Sequence, residues 1–166
     1  ELKGIESLSE QLSVLRIEVA DSHQTADLLA KKLSQNRSKR IPNIEKEIIQ
    51  LLTELGIPFP KIQINQNPRD ELNSKGKEEI TFYFSANKGS APQDIARIAS
   101  GGELSRLMLC IKYLIANKTN LPSIIFDEID TGVSGEIAHK IGRLMQQMSE
   151  NMQVMGITHL PQVAAK

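Results

Sequence analysis

Ile5, Leu8, Leu12, Leu15, Val19, Ser22, Ala26, Leu29 and Leu33 follow one another by steps of three and four residues without a break. A helix with apolar residues at this spacing carries them as one narrow seam, so the first third of the chain predicts a coiled coil of about four heptads. Ser22 and Ala26 weaken the middle of the seam. A seam needs a second helix, and no other heptad run of matching length occurs in the sequence. Its partner is then expected elsewhere in a longer protein or on another chain. A plain amphipathic helix packed on its own domain would use the same residues. Pro42 lacks the N–H that a helix interior needs, and is expected to kink or restart the helix. Ile44, Ile48, Leu51 and Leu55 resume the spacing. Gly56 marks a C-terminal stop, and Pro58 and Pro60 prevent continuation.

The pattern then changes to alternation. Ile62 and Ile64 form one short alternating run, and Ile80, Phe82 and Phe84 another. Between them lies "NQNPRDELNSKGK", rich in turn formers, which predicts two antiparallel strands joined by a long loop. A second loop, "NKGSAPQD", leads to Gly101 and Gly102. Leu104, Leu107, Met108, Ile111, Leu114 and Ile115 then mark a helix with one apolar face. In "PSIIFDEID", the continuous run Ile124–Phe126 suits a fully buried strand of a parallel sheet. Ser134 to Glu150 reads as a helix with Ile137, Ile141, Leu144, Met145 and Met148 on one face. "MQVMGITH" is a second buried strand, and "LPQVAAK" begins another helix. Strand, helix, strand, helix implies a right-handed crossover and a parallel sheet. The fold class is therefore α/β, preceded by a coiled-coil helix and an antiparallel hairpin.

Composition narrows the function. At 40% hydrophobic and 24% charged residues the chain can build a core. Twenty basic and twenty acidic residues cancel, so net charge makes no case for binding nucleic acid or membrane. The clusters Lys31-Lys32 and Arg37 to Arg40 are small and read as a solvated helix face. One cysteine, Cys110, excludes an internal disulfide and a cysteine-rich metal site; in its apolar run it reads as a small buried hydrophobe. The apolar runs fall far short of the ~18 residues of a membrane span. No signal peptide is visible. The sequence starts at Glu1 and stops at Lys166 inside an apparent helix, so both ends are expected to have been cut from a longer chain.

In parallel α/β sheets ligands collect at the carboxyl ends of the strands, and there the sequence puts Asp127, Glu128 and His159. One carboxylate at such a place can hold Mg²⁺, which prefers a few hard oxygens and keeps its waters. The adjacent one can orient or deprotonate an attacking water. Two acids after an apolar strand also commonly just cap a turn. His159 can reach a terminal phosphate from a neighbouring strand, or simply end its strand in solvent. Ser100, Gly101 and Gly102 precede a helix N-terminus, where free N–H groups and the helix dipole favour an anion. The same donors serve a plain cap, with Ser100 near the cap and Glu103 in the first turn.

"SGGELSR", "IIFDEID", "TGVSG" and "THLPQVAA", in this order, resemble the carboxyl-terminal half of an ABC-type ATPase head. "SGGE" with "DEID" is similar to the SMC-like branch. "DEIDTGVSG" with "THLPQVAA" is closer still to the RecN family of bacterial DNA double-strand-break repair ATPases. The resemblance is specific from about Ile98 to Lys166; the elements "LLTELGIP" and "ITFYFSANKG" also fit, and Glu1 to Arg40 match in pattern only.

The resemblance implies roles for these residues. Ser100, Gly101, Gly102 and Glu103 would be the signature that contacts the γ-phosphate of ATP held by a second head. Asp127 would be the Walker B ligand to Mg²⁺, Glu128 the catalytic base and His159 the switch histidine. Asp130, Gly132 and Ser134 would belong to the D-loop, which departs here from the common ABC form ending in Leu-Asp. The implied cofactors are ATP and Mg²⁺. The implied partners are the amino-terminal P-loop lobe of the same protein, a second head in a homodimer, and DNA in the full assembly. The implied location is the bacterial cytoplasm at the nucleoid.

No G-x-x-x-x-G-K-[ST] occurs in the chain: the one Gly-Lys pair, Gly76-Lys77, is followed by Glu78. Without a P-loop there is no lysine and no nest of N–H groups for a β-phosphate. Residues 1–40 are then expected to be the end of a returning coiled-coil arm. Residues 41–166 would be the carboxyl-terminal lobe of a head, inactive by itself. Other SMC-like or RecF-like heads, and a coiled-coil scaffold that hydrolyses nothing, remain open on the residues alone.

Overall fold

The computed structural model describes residues 2–98, 101–116, 118–119, 121–127, 129–130, 132–133 and 135–166, with side chains from Glu10 onward. Helix α1 (Leu2–Glu54) is followed by strands β1 (Lys61–Asn73), β2 (Gly76–Ser85) and the short β3 (Gln93–Asp94). Helix α2 (Gly102–Ala116), β4 (Ser123–Asp127), α3 (Gly135–Ser149), β5 (Gln153–Ile157) and α4 (Pro161–Ala164) complete the chain. β1, β2 and β3 form one sheet in that order, and β4 pairs with β5 in another. The chain divides into two compact units, residues 1–41 with 66–80, and residues 42–65 with 81–166.

In the first unit, α1 meets the outer part of the β1–β2 ribbon. "NQNPRDELNSKGK" was expected to be a loop, yet nearly all of it is strand. The turn is only Ser74-Lys75, with the Lys75 N–H donating to Asn73 Oδ1 at 2.8 Å. The alternation that announces a half-buried strand is missing because both faces of this ribbon are largely polar. Polar contacts hold it to the helix instead. Gln66 Nε2 donates to the Ser34 carbonyl (3.2 Å) and to Glu78 Oε2 (2.9 Å), and Lys77 Nζ donates to Asp27 Oδ1 (3.3 Å). Pro68 is tolerated because β1 is an edge strand. The seam residues Leu12, Leu15, Val19, Leu29 and Leu33 are exposed.

Of the two outcomes expected at Pro42, a restart does not occur; α1 runs through it. A proline costs one i→i−4 bond. Beyond it the α1 side chains Ile48, Leu52 and Leu55 are buried in the core of the second unit, which holds that part of the helix in place. The same core takes Ile57, Ile62 and Phe84 from the neighbouring chain. From the α/β part it takes Leu107, Leu109 and Cys110 of α2, Phe126 of β4, and Ala138, Ile141, Leu144 and Met148 of α3. In α2 the buried face is rotated from the expected one. Met108 and Ile115 are exposed, whereas Leu109 and Cys110 are fully buried. The helix is apolar almost all round, so its periodicity alone could not choose the side.

β4 and β5 are parallel, and Ser123, Ile124, Ile125, Phe126 and Asp127 face Gln153, Val154, Met155, Gly156 and Ile157 in turn. These strands were expected to be fully buried, and that is corrected. Phe126 is buried, but Ile125 is 59% exposed, Met155 42% and Ile157 55%. Alternate residues of a strand point to opposite faces. One face thus turns Ile124, Phe126 and Val154 to the core, and the other leaves Ile125, Met155 and Ile157 bare among the described residues.

Candidate functional site

The parallel register brings Asp127 and Ile157 side by side, so β4 and β5 end at one edge of the sheet. Asp127 is exposed there, and His159, two residues beyond the end of β5, is exposed as well. Glu128, the residue expected to act as base, lies outside the described residues, as do Ser100 and Ser134.

Behind this edge is a polar contact. The Thr158 hydroxyl donates to Asp130 Oδ2, and Thr158 Oγ1 accepts the Leu160 N–H at 3.0 Å. Asp130 is 5% exposed, and its backbone carbonyl accepts the Val133 N–H at 3.2 Å. The Leu160 carbonyl in turn accepts the N–H groups of Val163 and Ala164, which start α4. The segment after β4 and the turn after β5 are therefore tied by a buried carboxylate. The family resemblance implied a D-loop role for Asp130, and Thr158 was passed over. A threonine hydroxyl can shape a turn by bonding the backbone two residues on, but nothing in the sequence names its acceptor. Gly132 is exposed with φ +74°, a backbone state that favours glycine.

At the mouth of α2 the Gly101 carbonyl accepts the N–H groups of Leu104 (3.0 Å) and Ser105 (3.2 Å), which makes Gly101 the cap. Glu103 is exposed in the first turn, the place where a carboxylate favours the helix dipole. A Cβ added at Gly101 would meet nothing within 4 Å. Internal packing does not require glycine there, and the space beside it is open. A cavity of about 190 Å³ adjoins this mouth, lined by Phe84, Asn87, Ser90, Gly101, Glu103 and Leu104 among others.

No three His, Cys, Asp or Glu side chains among the described residues cluster closely enough to cage a metal ion. Mg²⁺ does not need such a cage, since it is usually held by one or two carboxylates together with substrate phosphates. An exposed carboxylate at a strand end, as at Asp127, fits that manner of binding. Cys110 is fully buried, and burial pushes its thiol up to about 12 against a lowering backbone hydrogen bond, so it is no nucleophile near neutral pH.

No family model matches the chain. It is 38% identical over 165 residues to the DNA repair protein RecN of Vibrio cholerae, covering 99% of this chain and 30% of the relative. It is 42% identical over 167 residues to RecN of Rickettsia conorii, covering 95% of this chain and 30% of the relative. The chain thus spans about three-tenths of the length of the curated relatives it matches. Among solved structures it resembles the Smc head domain of Pyrococcus furiosus with an extended coiled coil, there bound to the C-terminal domain of ScpA. The TM-score is 0.63 and the identity 17%, over 96% of this chain and 38% of that one. The Smc head of Pyrococcus yayanosii with a coiled coil and joint gives a TM-score of 0.64 at 18% identity, over 96% and 30%. In sequence the chain is similar to RecN over nearly its whole length, and its fold is similar to part of the Smc head domains.

Proposed function

We propose that the chain is the carboxyl-terminal part of a RecN-like ATPase acting in DNA double-strand-break repair and recombination. The observation that carries this reading is the parallel pairing of β4 with β5, which puts Asp127 and His159 at one sheet edge. In this reading Asp127 holds Mg²⁺, Glu128 activates the attacking water, and His159 meets the terminal phosphate. Mg²⁺ would supply charge neutralisation between the phosphates.

The signature residues Ser100, Gly101, Gly102 and Glu103 then serve ATP held by a second head. The open space at Gly101 supports an approach from outside the chain. The D-loop spans Asp130, Gly132 and Ser134. Asp130 anchors it from inside, and the exposed Gly132 is free to meet the second head. Residues 1–40 are the end of the returning coiled-coil arm, and residues 41–166 belong to the head. Parallel sheets are as a rule covered on both faces. The bare face of Ile125, Met155 and Ile157 therefore suits the amino-terminal lobe of the same protein, which would bring the P-loop. DNA binding belongs to the full assembly, in the bacterial cytoplasm at the nucleoid.

The test is Glu128→Gln in the full-length protein. ATP binding is expected to persist while turnover falls by about a hundredfold or more, as when a catalytic base is lost. Unchanged turnover sinks the assignment. The isolated chain, lacking a P-loop, is expected to hydrolyse no ATP; robust Mg-ATP hydrolysis by it would contradict the reading equally.

A further inference from the structure

We propose that Thr158 is a positioning residue for His159, and that its hydrogen bond to Asp130 makes the segment after β4 and the turn after β5 move as one. The proposal rests on the ATPase reading above and adds to it a residue which that reading leaves out.

His159 sits between two anchored neighbours. On one side the Thr158 hydroxyl donates to the buried Asp130 carboxylate; on the other the Leu160 N–H donates back to Thr158 Oγ1 at 3.0 Å. One hydroxyl thus uses its proton toward the segment that begins at Asp127, and a lone pair to shape the turn that carries His159. A serine or threonine hydroxyl can do both, since it is donor and acceptor at once. The imidazole itself stays exposed, where it can meet something outside the chain. Asp130 is 5% exposed, and a buried carboxylate is costly without donors. Thr158 and Asp130 therefore hold one another, and a shift of either segment would be passed to the other. A hydrogen bond that only stabilised the fold would have no reason to act through His159, and that difference is measurable.

The experiment is steady-state ATP hydrolysis by the full-length protein, with Thr158→Val, His159→Ala, the double variant and Thr158→Ser. Thr158→Val is expected to lower kcat by about tenfold or more, as loss of a group orienting a site residue does, with KM moving within about twofold. Thr158→Ser should restore turnover. In the His159→Ala background Thr158→Val should cost no more than about twofold further, because residues acting as one unit are not additive.

Wild-type kcat in Thr158→Val, or its full loss repeated on top of His159→Ala, overturns the proposal. Removing the hydroxyl takes a donor from the buried Asp130 carboxylate and can unfold the protein. The cycle is therefore repeated in an Asp130→Asn background, where a neutral amide remains; the same non-additivity is expected, and additivity there also overturns it. Glu128→Gln run alongside separates the two claims. An inactive Glu128→Gln with a normal Thr158→Val removes this inference alone, whereas a full-length wild type that turns over no ATP removes the ATPase reading and this inference with it.

Discussion

A Cβ placed at Gly56 would lie 2.3 Å from Ile137 Cδ1, closer than any real side chain allows. Gly56 ends α1 with φ +81°. Its N–H donates to the Thr53 carbonyl (3.1 Å) and the Ile57 N–H to the Leu52 carbonyl (3.0 Å), the paired bonds of a Schellman cap. Conformation and space therefore both ask for glycine. Ile137 can swing its terminal methyl aside, but the left-handed backbone remains. Gly56→Ala is expected to destabilise the protein by ~1 kcal/mol or more, read as a lower midpoint in urea. An unchanged midpoint would mean that α1 ends differently.

Glu78 is the hub of the ribbon's contact with α1. It accepts from the Ser34 hydroxyl and from Gln66 Nε2, and Arg37 lies 3.9 Å away. Its side chain is 16% exposed, so the Arg37 pair is partly screened and the two hydrogen bonds matter more. Glu78→Ala should cost about 1–2 kcal/mol locally. Hydrogen exchange at amides of residues 66–73 and 76–80 should accelerate about tenfold, with little change at residues 102–116.

The bare sheet face predicts opposite outcomes in two contexts. Ile125→Asp in the isolated chain should shift stability by no more than ~0.5 kcal/mol, because the side chain is already in solvent. In the full-length protein, where the proposed amino-terminal lobe covers that face, the same charge would be buried without a partner, and the melting temperature should drop sharply. Equal, small effects in both contexts would show that nothing packs there.

Cys110 gives a pH dependence with a definite sign. Burial raises the thiol from 9.0 to about 12 in the folded chain. The unfolded chain therefore loses this proton first as pH rises. The contribution to stability is complete below pH 9 and declines between 9 and about 12. Cys110→Ala should flatten that part of the stability profile. In the native wild type, a thiol reagent at pH 8 should react only as fast as the protein opens, and addition of urea should release the reaction. Prompt labelling of the native chain would contradict the burial.

The elements with a clean period were legible in the sequence. α3 buries Ile141, Leu144 and Met148 as its spacing implies, and the stop at Gly56 follows from one glycine and the prolines behind it. "SGGELSR", "IIFDEID" and "THLPQVAA" carried the family resemblance, because phosphate and metal chemistry demands particular residue types at strand and helix ends. The long β1–β2 ribbon was not legible, since its order comes from Ser34, Gln66, Lys77 and Glu78 pairing across distant segments and not from an apolar alternation. At Pro42 the sequence left a kink and a restart both open, because the burial of Ile48, Leu52 and Leu55 that outweighs its lost hydrogen bond lies outside any local window.

By itself the sequence determined the residue types at the candidate site and the order of the elements that carry them. Only the tertiary structure decided which residues meet. It chose the buried side of α2 and left one face of the β4–β5 sheet bare. It also buried Asp130 against Thr158, a pairing that no sequence pattern announces. The physical reason is the same each time. A side chain's chemistry is local, whereas its burial and its hydrogen-bond partner are set by segments far away along the chain.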